Sequence, residues 1–566
     1  MRINTEQVAP LLDFPYFSFI VATLVIVATI LLSVPKLSNF AKPIGLITSV
    51  VVLAEVITVC ILFDFTAPAK FQFSEMYSWI PILGVTWSFG VNAFSLIMIL
   101  GSALLVTLVL IAGWNDNEYA LIYSDNDEDE QKHSKESRRA INQYLNSISA
   151  ERIYIALVLF LEAFIITIFA TRDLFVFYLA FEAMLIPAYF MVTRFGIGKD
   201  KAKAGMKFLL YSLLGGLVML LGVITIYIYT PYTPYLFNMD TLSQSLHLPF
   251  RVEVLVFISF FIAFAIKAPM YPVHIWLTTT VENARPTTSA LLVGILDKIG
   301  TFGMLSFTLV LFPKASKFLA IYIVIWAVIS IFYGGLLAIW EKNILRLISL
   351  TSVSHFGFII LGIYIGSSLA MTGALTYMIA HMVSIAGLFL TAGYLGKRTN
   401  TFDINSMGGM QRKTPVIAGC FLVSGLATVA LPGLSGFVPE YLVLMGVFSV
   451  IPTVAIICVL AVIISAVYIL LPYQKIFAGT SKKYEEYPDM NFREKFVAGV
   501  LIVLMLVIGI FPNLLLNSFS KVSDFYNKET QIVKNADGDY KQFLEYEKAI
   551  QSTDSIESMA VFGGEK

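Results

Sequence analysis

Charge is what this chain has least of. Asp, Glu, Lys and Arg make up 13% of its 566 residues, against 58% hydrophobic residues, where a soluble protein carries about 25% charged residues. A water-facing surface cannot be built from so little charge. At about 20 apolar residues per crossing, the length leaves room for more than a dozen spans, so the chain reads as a polytopic membrane protein. Cysteine is equally scarce. Cys60, Cys420 and Cys458 lie far apart inside apolar runs, and they cannot supply the four thiolates of an iron-sulfur cluster. No C-x-x-C, G-x-G-x-x-G or P-loop pattern occurs, which argues against a nucleotide site or an electron-transfer centre. Neither a cofactor nor a metal is expected in this chain. Net charge is missing too: 38 basic residues match 38 acidic ones, and the balance points to no nucleic-acid or acidic partner.

What is abundant is apolar sequence. Runs long enough to span occur at 14–34, 44–63, 90–113, 152–171, 173–193, 206–229, 252–277, 287–311, 318–340, 345–364, 369–395, 416–448, 451–473 and 495–517, with 79–89 a rival start for the third. The expected fold is all-α, with about fourteen transmembrane helices. No small-residue cleavage site separates the first two runs, so the first reads as an anchor and not as a removable signal. Alternate loops hold 24 of the 38 basic residues and the other side, with both termini, holds 12; this bias places the basic loops in the cytoplasm and both termini outside. The expected divisions are 1–113 for three N-terminal helices, 114–151 for a polar cytoplasmic loop, 152–311 and 312–475 for two five-helix units, 476–517 for a loop and last helix, and 518–566 for a polar tail. Residues 115–151, with the acidic block Asp125 to Glu130, read as a solvated loop. The tail offers one short amphipathic helix near Tyr540 to Ile550.

The two remaining basic residues, Lys267 and Lys298, sit inside apolar runs. So do Glu182, Glu440, His355 and His381. A charge at mid-membrane costs at least about 2.5–3.5 kcal/mol on insertion scales, so it is retained where it is paired, hydrated or useful. Counting residues at 1.5 Å each puts Glu182, Lys298 and His355 about 15 Å from a surface, at one depth, as a row in the membrane plane. Two runs look broken, at Lys267-Ala268-Pro269-Met270-Tyr271-Pro272 and at Leu431-Pro432-Gly433-Leu434-Ser435-Gly436. Proline removes hydrogen bonds and glycine adds freedom, which mid-membrane backbone tolerates beside a hydrated cavity. The broken runs are the seventh and the twelfth, as two inverted five-helix copies require. Proton transfer is the chemistry such a row supports: a buried lysine holds its proton beside a carboxylate and releases it when the pair separates. Static ion pairs that fix helix packing are the alternative for Glu182, Lys267, Lys298 and Glu440, and interhelical hydrogen bonds or a bis-histidine haem for His355 and His381. Lys207 reads as snorkelling, Gly215-Gly216 and Gly334-Gly335 as close-packing sites, and Glu55, Glu162 and Asp297 are left without a role.

Here the motifs become familiar. Asp173-Leu174-Phe175-Val176-Phe177-Tyr178, with Phe181-Glu182-Ala183 and Leu185-Ile186-Pro187, resembles the fifth helix of the antiporter-like subunits of respiratory complex I. Ala265-Ile266-Lys267-Ala268-Pro269, with Pro272, His274, Trp276 and Leu277, resembles their broken seventh helix. Leu296-Asp297-Lys298-Ile299-Gly300 and Ser352-Val353-Ser354-His355-Phe356-Gly357 resemble the eighth and tenth. Leu431-Pro432-Gly433, Phe437 and Glu440 are similar to the M (chain 4) branch, which has Glu where the L and N branches usually have Lys. The resemblance covers roughly residues 90–475. It implies fourteen helices in two inverted repeats. It further implies a modulating pair of Glu182 and Lys267, a central relay at Lys298, an intervening relay of His355 and His381, and a terminal proton site at Glu440. Implied with these are a proton-translocating role in NADH:quinone oxidoreductase and L and N subunits as partners. NADH, FMN, iron-sulfur clusters and quinone would be handled by other subunits, and the setting would be a bacterial inner membrane. Related sodium/proton antiporters, membrane-bound hydrogenase complexes and a structural spacer are the alternatives. Thr278-Thr279-Thr280-Val281 replace the family's usual Pro-Asp-Ala-His, and Leu345 replaces a usual Lys.

Overall fold

A computed structural model describes residues 14–118, 148–480 and 487–530. Most are helical. The main helices are α1 (Tyr16–Ser33), α2 (Ala41–Leu62), α3 (Ala93–Ala112), α4 (Ile148–Ala170), α5 (Leu174–Ala183), α6 (Leu185–Thr193), α7 (Lys201–Tyr229), α8 (Phe250–Lys267) and α9 (Ile275–Asn283). They continue as α10 (Pro286–Leu311), α11 (Pro313–Trp340), α12 (Ile344–Tyr364), α13 (Ser368–Thr399), α14 (Pro415–Thr428), α15 (Phe437–Phe448), α16 (Pro452–Phe477), α17 (Phe492–Ile510) and α18 (Asn513–Thr530). Among the described residues, eleven helices are long and apolar enough to cross a membrane, or up to twelve when α17 and α18, bent by 65°, count as one. The two interruptions read from proline and glycine are both present, between α8 and α9 and between α14 and α15.

The run 79–89 is not the start of a helix. Gln72–Ile80 (β1) and Val85–Val91 (β2) pair as an antiparallel hairpin that turns at Gly84, whose φ of +70° suits a residue without Cβ. Its alternation of aromatic and β-branched residues has the period of a strand, and Trp87 packs edge to face on Phe89 with centroids 4.8 Å apart. The hairpin is tied to the bundle through Asp173. One carboxylate oxygen accepts the Phe175 and Val176 N–H groups at 2.9 and 3.0 Å, capping α5. The other accepts the N–H and hydroxyl of Thr86 at 2.8 and 2.9 Å.

The beginning of the polar tail is also structured. α18 lays Phe519, Val522 and Tyr526 into the core, and Ser523 donates to the Ser368 carbonyl at 2.7 Å. The acidic block and the helix expected near Tyr540 to Ile550 lie outside the described residues.

α10, α12 and α13 are the central helices and are almost wholly buried. Small residues let them approach closely: a Cβ on Gly373 of α13 would meet the Val443 N and Pro439 O of α15 at 2.7 and 2.8 Å. Gly334 and Gly335 do the same for α11, where a Cβ on Gly334 would lie 2.7 Å from the Ser354 N of α12. The basic-loop side is stapled by Lys397–Asp116 at 2.8 Å, Arg398–Glu494 at 2.6 Å and Arg346 to both Glu282 and Glu341 at 3.2 and 3.1 Å.

Candidate functional site

Lys267 is the last residue of α8, where the helix stops at Ala268. The backbone groups released by Pro269 and Pro272 do not go unpaired. Trp276 Nε1 donates to the Ile266 carbonyl at 2.8 Å, the Met270 N–H to the Ala265 carbonyl at 3.2 Å, and the Tyr271 N–H to the Ser330 hydroxyl at 3.1 Å; the Tyr271 carbonyl accepts Trp326 Nε1. The break is thereby held open with its polar backbone satisfied from α9 and α11. The Lys267 ammonium, 1% exposed, lies over the rings of Phe181 and Phe208, 5.1 and 5.5 Å from their centroids, an electrostatically favourable cradle.

Glu182 stands one residue past Phe181, next to the junction of α5 and α6 at Met184. It is half-buried. Gly216 of α7 presses against its carboxylate and leaves no room there for a Cβ, while Gly215 abuts Ala263 of α8; both are close-packing sites, as read. Glu182 is the principal acidic neighbour of Lys267. The two do not form a hydrogen-bonded pair: Lys267 Nζ and Glu182 Oε1 are both buried and without a partner. The pair implied by resemblance is thus open in this structure. Lys207 is half-buried, and its Nζ reaches the Thr279 hydroxyl of α9 at 3.1 Å.

Lys298 is fully buried near the middle of α10, between two π-helical stretches, Leu292–Leu296 and Met304–Thr308. Such widened turns leave carbonyls poorly paired and recur at functional positions. Lys298 uses one: Nζ donates to the Val293 carbonyl at 2.6 Å and contacts His381 Nδ1 of α13 at 2.7 Å. His381 packs edge to face on His355 of α12, with centroids 5.3 Å apart. That direct ring contact leaves no space for a haem between them. His355 Nε2 meets the Tyr468 hydroxyl of α16 at 3.1 Å, and the His355 ring lies 5.8 Å from that of Tyr377. Tyr377 donates to Glu440 Oε2 at 2.8 Å. Glu440 is 4% exposed in the first turn of α15, where the positive helix end favours a carboxylate. Ala430 and Gly433, with φ of +61° and +91°, turn the chain into that helix.

The structure therefore gathers Lys298, His381, His355 and Glu440 into one cluster, with Lys267 and Glu182 at its other end. Tyr377 and Tyr468 are buried links that the sequence reading passed over. Tyr377 stands four residues before His381 on the same helical face, which was the available signal. Among the described residues, no group of three or more His, Cys, Asp and Glu side chains is arranged to hold a metal.

A family model described as NADH:quinone oxidoreductase/Mrp antiporter, TM matches residues 171–465, which include Glu182, Lys267, Lys298, His355, His381 and Glu440. The chain belongs to that family. This antiporter-family chain is 38% identical over 497 residues to NADH-quinone oxidoreductase subunit M of Mycobacterium tuberculosis (strain ATCC 25618 / H37Rv), covering 85% of this chain and 88% of that protein. It is 33% identical over 449 residues to subunit M of Escherichia coli (strain K12), covering 78% and 82%. A chain of respiratory complex I from Thermus thermophilus superposes with a TM-score of 0.77 at 28% identity, over 91% of this chain and 99% of that one. A chain of the Mrp complex from Dietzia sp. shares the fold, with a TM-score of 0.76 at 20% identity. By these relatives the protein is an antiporter-like, proton-translocating membrane subunit of an NADH-quinone oxidoreductase.

Proposed function

We propose that protons move through this subunit along Glu182, Lys267, Lys298, His381, His355 and Glu440, with Tyr377 and Tyr468 as hydroxyl links. The observation that carries this reading is the direct contact of Lys298 Nζ with His381 Nδ1 at 2.7 Å. A proton leaving the Lys298 ammonium is received on the lone pair of Nδ1, and the ring passes a proton on from Nε2. His381 Nε2 and His355 Nδ1 are buried and unpartnered, free to take the next exchange. Glu182 sets the protonation of Lys267: near, the carboxylate holds the ammonium; apart, as here, the amine can release its proton.

In the complex, partner subunits, including the antiporter-like L and N chains, surround this one. NADH, FMN, iron-sulfur clusters and quinone belong to those partners, and the energy of quinone reduction drives the row. The membrane is a bacterial inner membrane, the basic loops face the cytoplasm and both termini lie outside.

The test is NADH-driven proton uptake by inverted membrane vesicles carrying the assembled complex. Lys298→Ala, Lys267→Ala and Glu182→Ala abolish uptake, whereas Glu182→Asp retains much of it. Full pumping by the alanine variants, with an unchanged proton-to-electron ratio, would overturn the row and leave a structural spacer.

A further inference from the structure

One buried charge in the first half of the row has no assigned part. Asp297 precedes Lys298, is 0% exposed, and both its carboxylate oxygens are buried without a hydrogen-bond partner. Its place on the helix separates it from its neighbour. The segment Asp297–Gly303 is α-helical, and at about 100° per residue Asp297 lies about 60° from Gly300 while Lys298 lies about 160° from it. Gly300 is packed against the Phe264 carbonyl and the Ala268 N–H, with no room for a Cβ. That is the end of α8, where Lys267 sits. Lys298 is turned the other way, toward Val293 and His381. Asp297 thus stands on the Lys267 side of α10 and Lys298 on the histidine side.

The charges follow the same geometry. Lys298 and then Lys267 are the cations acting on Asp297. In turn, Asp297 is the acidic neighbour of Lys298 and, after Glu182, of Lys267. Lys267 itself has no hydrogen-bonded route onward, because Nζ is unpartnered. The row as drawn from the lysines and histidines therefore has a gap between Lys267 and Lys298, and one carboxylate occupies it.

We propose that Asp297 is the proton carrier joining Lys267 to Lys298. An N–H bond of the Lys267 ammonium breaks as an O–H bond forms on the Asp297 carboxylate. That O–H then breaks as an N–H forms on neutral Lys298, and the carboxylate is restored. No electron changes hands, and the net result is one proton moved from one lysine to the next. A static counter-ion needs only the charge of Asp297; a carrier needs its capacity to be protonated and deprotonated in each turnover.

The inference rests on the proposed row, and the experiment separates the two. Asp297→Asn, Asp297→Glu, Lys267→Ala and Lys298→Ala are compared in the assembled complex, with electron transfer from NADH to an artificial acceptor as the measure of assembly. Proton uptake per electron passed to quinone is the readout. General acid-base transfers contribute large factors, so Asp297→Asn is expected to lower proton uptake at least about ten-fold while assembly is kept, and Asp297→Glu to restore most of it. Uptake by Asp297→Asn equal to that of the unaltered complex overturns the carrier role if the lysine variants fail to pump. If the lysine variants also pump normally, the row itself is overturned. Should Asp297→Asn not assemble, Asp297→Ser, which is smaller and cannot carry charge, replaces it under the same criteria.

Discussion

Tyr377 shows how much can rest on one hydroxyl. It is 2% exposed and donates to Glu440 at 2.8 Å, beside the His355 ring. Removing the hydroxyl leaves a buried carboxylate oxygen without its donor, a change worth about 1–3 kcal/mol. Tyr377→Phe is therefore expected to slow proton uptake about five-fold or more, since each 1.4 kcal/mol is a factor of ten, while the amount of assembled complex in the membrane stays the same. Uptake measured in vesicles matched for complex content decides this, and an unchanged rate removes Tyr377 from the path. The ionisable members of the row were legible in the sequence because a Lys, Glu or His inside an apolar run violates the solvent around it. The tyrosines were not: with 27 of them in the chain, a tyrosine in a span is ordinary until its partner is seen.

The breaks in the helices depend on neighbours as much as on proline. The Ile266 carbonyl, one residue before Lys267, is satisfied by Trp276 Nε1 across the gap. Trp276→Phe keeps an aromatic six-membered ring and removes the donor, and the orphaned carbonyl should cost about 1–3 kcal/mol. A lowered thermal unfolding midpoint of the detergent-purified complex is the expected result; an unchanged midpoint would mean that water or another donor takes the place of Trp276. Proline and glycine made both breaks readable from sequence. The hairpin was hidden because Trp79 to Phe89 are as apolar as a span and too short a stretch to separate period 2 from period 3.6 by eye. The π-helical stretches around Lys298 were not readable at all, since no residue type specifies an extra residue in a turn. The start of the tail read only as polar chain, because the three residues by which α18 docks, Phe519, Val522 and Tyr526, are diluted by charge and serine.

For the molecule as a whole, the distribution of charge makes a directional claim. The basic loops carry 24 of 38 Lys and Arg residues, and Lys203, in the first turn of α7, and Gln244, in the connection from α7 to α8, are both exposed. After removal of the three native cysteines, a membrane-impermeant maleimide added to inverted vesicles should label Lys203→Cys and spare Gln244→Cys; the reverse pattern would invert the topology. The same layout bears on voltage. Lys298, His355 and His381 each lie near the middle of their helices, 12, 11 and 13 residues from the first residue of Pro286–Leu311, Ile344–Tyr364 and Ser368–Thr399. A proton travelling among them runs parallel to the membrane surface and does almost no work against the transmembrane potential. If the proposed row is the path, the work of about 2.3 kcal/mol per 100 mV for each charge falls on the steps perpendicular to it. A substitution that slows the row should accordingly slow turnover by one factor, whether the potential is present or collapsed.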